Sequence, residues 1–253
     1  DFTSHWNGSI TWDVDVTPPG ADASARVFRG TETPTWLHPR QPDSALVTAA
    51  NGETEKYLFY RGLGRFDLPV TFASGDSSVT VHNHGESPVT GMLLYEKVGA
   101  TARLTAVSAL AKGEKREISP AGDGFTQDWR KPVYAATADM LTAAGLTRQE
   151  ADAMVQTWWT SYFERDGRRV FWIVPRETTD RVLPLRVNPA PAETVRVLVG
   201  RSELLTPAFE HQLATEWTKH QAEERPNAYS SDRFFFAYDA RVKQLQGARS
   251  AGR

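Results

Sequence analysis

The stretch TAAGLTRQEADAMVQTWWTSYFERDG, from Thr142 to Gly167, constrains the fold of this chain more than any other. Ala151, Met154, Val155, Trp158, Trp159, Tyr162 and Phe163 recur at steps of three and four residues, which is one broad apolar stripe along an α-helix. Ahead of the stripe, Thr147 and Glu150 have the spacing of a capping box, in which each side chain satisfies the other residue's free backbone donor. Gly145 suits the end of a shorter helix that begins at about Ala135, and Gly167 follows the main one. A stripe this wide has to be buried against a second layer of structure.

The residues before the helix supply that layer, and they read as β. In SITWDVDV (Ser9–Val16), Ile10, Trp12, Val14 and Val16 share one face and Thr11, Asp13 and Asp15 the other, which predicts a half-buried strand. The PPG at 18–20 stops it, and the prolines of TETPTWLHPRQPD (Thr31–Asp43) predict an extended loop. Between Glu55 and Phe72, two short apolar runs are broken by Gly62 and Gly64, as at a bulge or tight turn. SSVTVHN, TGMLLYEKV, ARLTAVSAL and EKREI follow as short strands bounded by turn residues, the spacing of a sandwich or barrel. The run VTVHNHGESPVTGMLLYEKV resembles the strand–turn–strand rhythm of immunoglobulin-like sandwiches, a rhythm common to unrelated β domains that identifies no family.

Beyond the helix, RRVFWIVP predicts a buried strand ended by Pro175, and RVLPLRV and ETVRVLVG predict two more. Thr206 and Pro207 fit a helix start, with Phe209, Leu213, Trp217 and His220 inward. A last helix is expected from about Asp232 to Gln246, with Phe235, Tyr238, Val242 and Leu245 inward. The fold class expected is therefore α+β: an antiparallel β-sandwich-like region over 1–120, then a mixed helix and strand region with amphipathic helices over 121–253, packed against it. The division falls where the period changes, near Ser119–Asp128.

Composition narrows the chemistry. The chain has no cysteine among its 253 residues, which excludes disulfides, thiolate metal sites, iron–sulfur clusters and cysteine nucleophiles. Its 29 basic and 31 acidic residues are interspersed, so no basic surface for nucleic acid is expected. No apolar run reaches the roughly 20 residues of a membrane span. The sequence starts at Asp1 without methionine, which is compatible with a mature exported protein, and an extracytoplasmic location (periplasmic or secreted) is expected.

Few spots suggest chemistry. His82 and His84 lie two apart, so both point to one face of a strand, where they offer two ligands to zinc or copper; a site needs at least a third. Asp13 with Asp15, and Asp123 with Asp128, offer oxygen to calcium without EF-hand spacing. Ser202 follows a predicted strand, but nothing pairs it with His211 or His220, and no G-x-S-x-G, H-E-x-x-H, phosphate-loop or dinucleotide motif occurs. No cofactor is expected. Of the eight tryptophans, Trp158, Trp159, Trp172 and Trp217 coincide with apolar stripes and are expected in the core. Trp36, in the proline-rich PTWLHP, is the best candidate for an exposed aromatic, and with His38 it is the expected ligand-binding spot.

These readings favour a non-enzymatic, exported binding or assembly module that meets a protein or carbohydrate partner through an aromatic surface. A hydrolase of carbohydrate or peptide, with its site between the two regions, is the alternative; it requires paired carboxylates, or a histidine beside a carboxylate. A metal-binding module centred on His82 and His84 is the second alternative.

Overall fold

The computed structural model describes residues 8–20 and 37–251, apart from 61, 63, 65, 120–123 and 233. It is a mixed α+β protein with, among the described residues, three antiparallel sheets and five α-helices. Its first sheet joins β1 (Val14–Thr17), β2 (Leu46–Ala49) and β3 (Thr54–Glu55) in chain order. The second joins β4 (Val70–Ser74), β5 (Val79–Asn83) and β8 (Lys115–Ile118), with β5 central. These two N-terminal sheets fit the sandwich-like region that the strand spacing predicts.

The third sheet is the centre of the molecule. Its order is β10 (Val199–Leu204), β9 (Gly167–Ile173), β6 (Met92–Val98) and β7 (Thr101–Val107). Two of its strands precede residue 120 and two follow it, so one hydrogen-bonded ladder carries both parts of the chain. The β6–β9 register pairs Leu93 with Phe171 and Leu94 with Val170. Successive side chains of a strand point to opposite faces. Met92, Leu94, Val170 and Trp172 therefore pack with Val70, Val79, Val81 and Ile118 of the second sheet. Leu93, Tyr95 and Phe171 pack the other way, against Trp129, Val133 and Phe163 of the helical layer. Covered on both faces, β6 and β9 read as nearly continuous apolar runs in the sequence.

That layer is α1 (Arg130–Ala143) and α2 (Arg148–Phe163). The capping box of α2 is present: Thr147 accepts from the Glu150 backbone N–H, and Glu150 accepts from that of Thr147. Gly145 takes φ 113°, a conformation glycine adopts without a Cβ penalty. Helix α1 begins five residues earlier than the pattern predicts, at Arg130. Pro132 sits in its first turn, where a missing N–H costs nothing.

Two buried arginines fasten the layers to one another. Arg168 on β9 donates to Ser74 Oγ at 3.0 Å and to the carbonyls of Gly75 and Asp76 at 2.8 Å, holding the β4–β5 turn to the central sheet. Arg169, its neighbour on the opposite face, donates to the Tyr162 carbonyl at 2.7 Å and the Asp166 carbonyl at 2.9 Å, anchoring the end of α2. The short helix α3 (Arg176–Val182) leads away from β9. Helices α4 (Pro207–Glu223) and α5 (Phe235–Ala251) form a hairpin around their own cluster of Leu213, Trp217, Tyr238 and Val242.

Three local expectations are corrected. SITWDVDV forms a strand only from Val14, and Ile10 and Val16 are 59% and 64% exposed, because none of the core clusters among the described residues reaches this segment. RVLPLRV is not a strand: Arg181 and Val182 finish α3, and Leu185 and Val187 lie exposed in the loop that follows. In ETVRVLVG only the last two residues enter β10, which continues to Leu204.

Candidate functional site

Helices α1 and α2 pack side by side and the 3-10 turn His38–Arg40 sits against α2. The Asp43 N–H donates to Gln149 Oε1 at 3.0 Å and ties the chain after that turn to the first turn of α2. Between these three elements lies a solvent-open groove of about 450 Å³. That volume falls within the range of roughly 300–1,000 Å³ typical of ligand sites.

Aromatic rings line part of it. Trp159 stacks parallel on buried Trp129, with centroids 5.8 Å apart and planes 2° apart. Its indole N–H donates to Glu164 Oε1 at 2.7 Å. Tyr134 lies 6.2 Å from Trp159; its hydroxyl donates to Asp152 Oδ1 at 3.0 Å and accepts from Gln156 Nε2 at 3.0 Å. Partial burial, with Asp152 beside it, raises the Tyr134 pKa, so the hydroxyl stays protonated at neutral pH. With their polar ends tied, neither ring is free to turn away from the groove.

Cations line the rest. Arg130 and Lys131 occupy the first turn of α1, which has no acidic residue and no side-chain cap. The Arg130 guanidinium rests over the Trp129 ring at 4.5 Å and donates to Glu164 Oε2 at 3.3 Å. Glu164 thus holds Trp159 and Arg130 at once. Lys131 makes no ion pair among the described residues. His38 closes one side, with Gln41 Nε2 3.4 Å from its Nδ1, and Gln156 and Thr160 complete the lining from one face of α2. Among the described residues, no aspartate or glutamate lines the groove.

His38 is in the groove; Trp36 lies outside the described residues. His82 and His84 stand edge to face with ring centroids 5.8 Å apart, and the strand neighbours opposite His82 are Thr71 and Lys115. Among the described residues no three histidine, aspartate or glutamate side chains come together as a metal would need. Asp13 and Asp15 are exposed on and before β1, Asp128 is exposed, and Asp123 lies outside the described residues. Ser202 is inside β10 opposite Val170, not on a sharp turn. Trp172 and Trp217 are buried as expected, Trp159 is half-buried, and Trp158 is 38% exposed.

Arg130, Lys131, Tyr134, Gln156 and Thr160 escaped the sequence reading. Two signals carried them: adjacent cations ahead of Tyr134 within one helical turn, and Gln156 and Thr160 flanking Trp159 at a four-residue step.

Among the described residues, five carboxylates are shifted in the same direction, downward. Hydrogen bonds from the Ala111 N–H and Arg116 hold Glu114 below the ordinary range, Arg176 does so for Asp180, Arg225 for Glu216 and Lys243 for Asp239. At Asp166, burial pushes upward, but Lys97 and the Gly99 N–H outweigh it. None of these is a carboxyl group kept protonated near neutral pH, as a general acid must be. No helix among the described residues is long and apolar enough to cross a membrane.

Comparison with protein-family models, with curated proteins and with solved structures returns no match.

Proposed function

We propose that the protein is a non-enzymatic binding or assembly module, exported from the cytoplasm, whose working surface is the groove between His38, α1 and α2. The single observation that carries this reading is the preorganisation of the groove. Two aromatic rings are fixed by Glu164, Asp152 and Gln156 before anything binds. Rings held in place lose little freedom when a partner covers them, so more of the contact energy becomes affinity. The same groove supports a hydrolase poorly. Among the described residues it is lined by no carboxylate, and His38, its one histidine, has an amide as its side-chain neighbour.

A photo-crosslinking residue at Thr160, in cells that make the protein, tests the reading against the same residue at Glu117 on β8. Discrete adducts from position 160 alone, lost when Trp159→Ala is added, are expected. Equal adducts from both positions, or adducts indifferent to Trp159, would contradict it.

A further inference from the structure

We infer that the occupant of the groove is an acidic segment of a partner protein, carrying an aromatic side chain that lies on Trp159 and Tyr134 while its carboxylates meet Arg130 and Lys131. This rests on the binding reading and adds the chemistry of the partner.

The chain as a whole carries a formal charge of -2, so a basic groove is not the by-product of a basic protein. Yet Arg130, Lys131 and His38 line it and, among the described residues, no acidic side chain does. Among the described residues Lys131 lacks an ion pair, and Arg130 is held by Glu164 at only 3.3 Å while remaining largely exposed. Both cations also sit at the positive end of α1, where like charge is unfavourable for the helix itself. A negatively charged occupant relieves both conditions.

Shape and polarity choose among anions. The groove is open to solvent, so a small molecule would leave much of its surface in water, short of the roughly 70–90% that small-ligand sites cover. A segment of a longer chain needs no such enclosure. Its aromatic residue continues the parallel Trp129–Trp159 stack, since ring faces held at fixed angles favour another ring. Gln156 and Thr160 offer an amide and a hydroxyl to its main chain. Nucleic acid fits less well, because phosphate neutralisation needs an extended basic surface rather than one helical turn. Neutral sugars use the rings but leave the cations without a role.

The test uses the full chain and fluorescein-labelled octapeptides, read by anisotropy at low and physiological salt. One peptide has aspartates flanking a central phenylalanine; its counterparts replace phenylalanine by alanine, or each aspartate by lysine. The aspartate–phenylalanine peptide is expected to bind, with salt weakening it. Lys131→Glu should weaken it about tenfold, by exchanging attraction for repulsion. That variant places a carboxylate at a helix N-terminus, where it is tolerated or stabilising, so loss of fold will not mimic loss of binding. Trp159→Ala and the alanine peptide should each reduce affinity as well. The inference is overturned if the aspartate–phenylalanine peptide fails to bind, if the lysine peptide binds equally, or if Lys131→Glu changes nothing. Adducts specific to position 160 would then still stand, leaving the binding reading intact and its acidic partner refuted.

Discussion

The two faces of the central sheet are covered by different chemistry. Toward the second sheet, the contact is made by Val70, Val79, Val81, Leu94, Ile118, Val170 and one indole, Trp172. Toward the helices, Tyr95, Trp129, Phe163 and Phe171 dominate, with Trp159 and Tyr162 at the margin. The aliphatic face is sealed so tightly that a Cβ on Gly200 would come within 2.5 Å of the Trp172 ring. The aromatic face is tied by polar ends instead: Tyr95 Oη donates to the Phe163 carbonyl at 2.7 Å and Trp129 Nε1 to that of Ala100 at 3.3 Å. Close aliphatic packing fills space and leaves nothing to offer a ligand. The aromatic packing runs outward from buried Tyr95 and Trp129 to Trp159 and Tyr134, which line the groove where that layer meets water.

Breaking the aliphatic side should have the largest effect. Trp172→Ala removes a wholly buried indole between tightly packed neighbours and is expected to cost about 3–5 kcal/mol, read by urea unfolding. A loss under 1 kcal/mol would mean that this face is not the main source of stability. On the aromatic side, Tyr95→Phe keeps the ring and strands the Phe163 carbonyl, for an expected loss of about 1–2 kcal/mol. If Tyr95→Phe proved the costlier of the two, the ranking of the faces would be reversed.

Glu164→Gln sharpens the comparison further. Stability should fall by about 1 kcal/mol or less, since the pair with Arg130 is largely exposed. Its fluorescence should change more than its stability, because Trp159 loses a charged hydrogen-bond acceptor. An unaltered emission spectrum would argue that Glu164 does not hold the ring.

The α4–α5 hairpin, with its separate cluster, responds to a different variable. Glu216 is lowered to about 2 from an ordinary value of 4.5 by hydrogen bonds from Arg225 and the Ala228 N–H. A depressed carboxylate contributes stability that is complete above the unfolded value and is lost as pH falls through the folded one. Amide protection of α4 and α5, taken relative to the intrinsic exchange rate at each pH, should therefore fall between pH 4.5 and about 2, and Glu216→Gln should flatten that dependence. Equal acid sensitivity in the variant would refute the assignment.

Local rules made part of this structure legible. The Thr147–Glu150 capping box and the Gly145 stop depend on neighbours within one turn, and both stand where spacing put them. RRVFWIVP was legible as a buried strand because both of its faces are covered. Long-range events were not legible. Trp129 sits in a polar stretch, and only the packing of α2 over the sheet buries it. RVLPLRV has strand-like composition, but α3 takes its first residues and Pro184 follows directly in the loop. For the groove, His38 came from a proline-rich loop and Trp159 from a core stripe; their meeting depends on how the 3-10 turn docks on α2. Spacing along the chain holds no record of that docking.

The most direct measurement follows the indole N–H resonances of the eight tryptophans while the aspartate–phenylalanine peptide is added to labelled protein. The account predicts that Trp159 shifts most, Trp129 shifts less through the stack, and Trp172 on the sealed face stays still. Movement of Trp172 or Trp217 with Trp159 unmoved would contradict it.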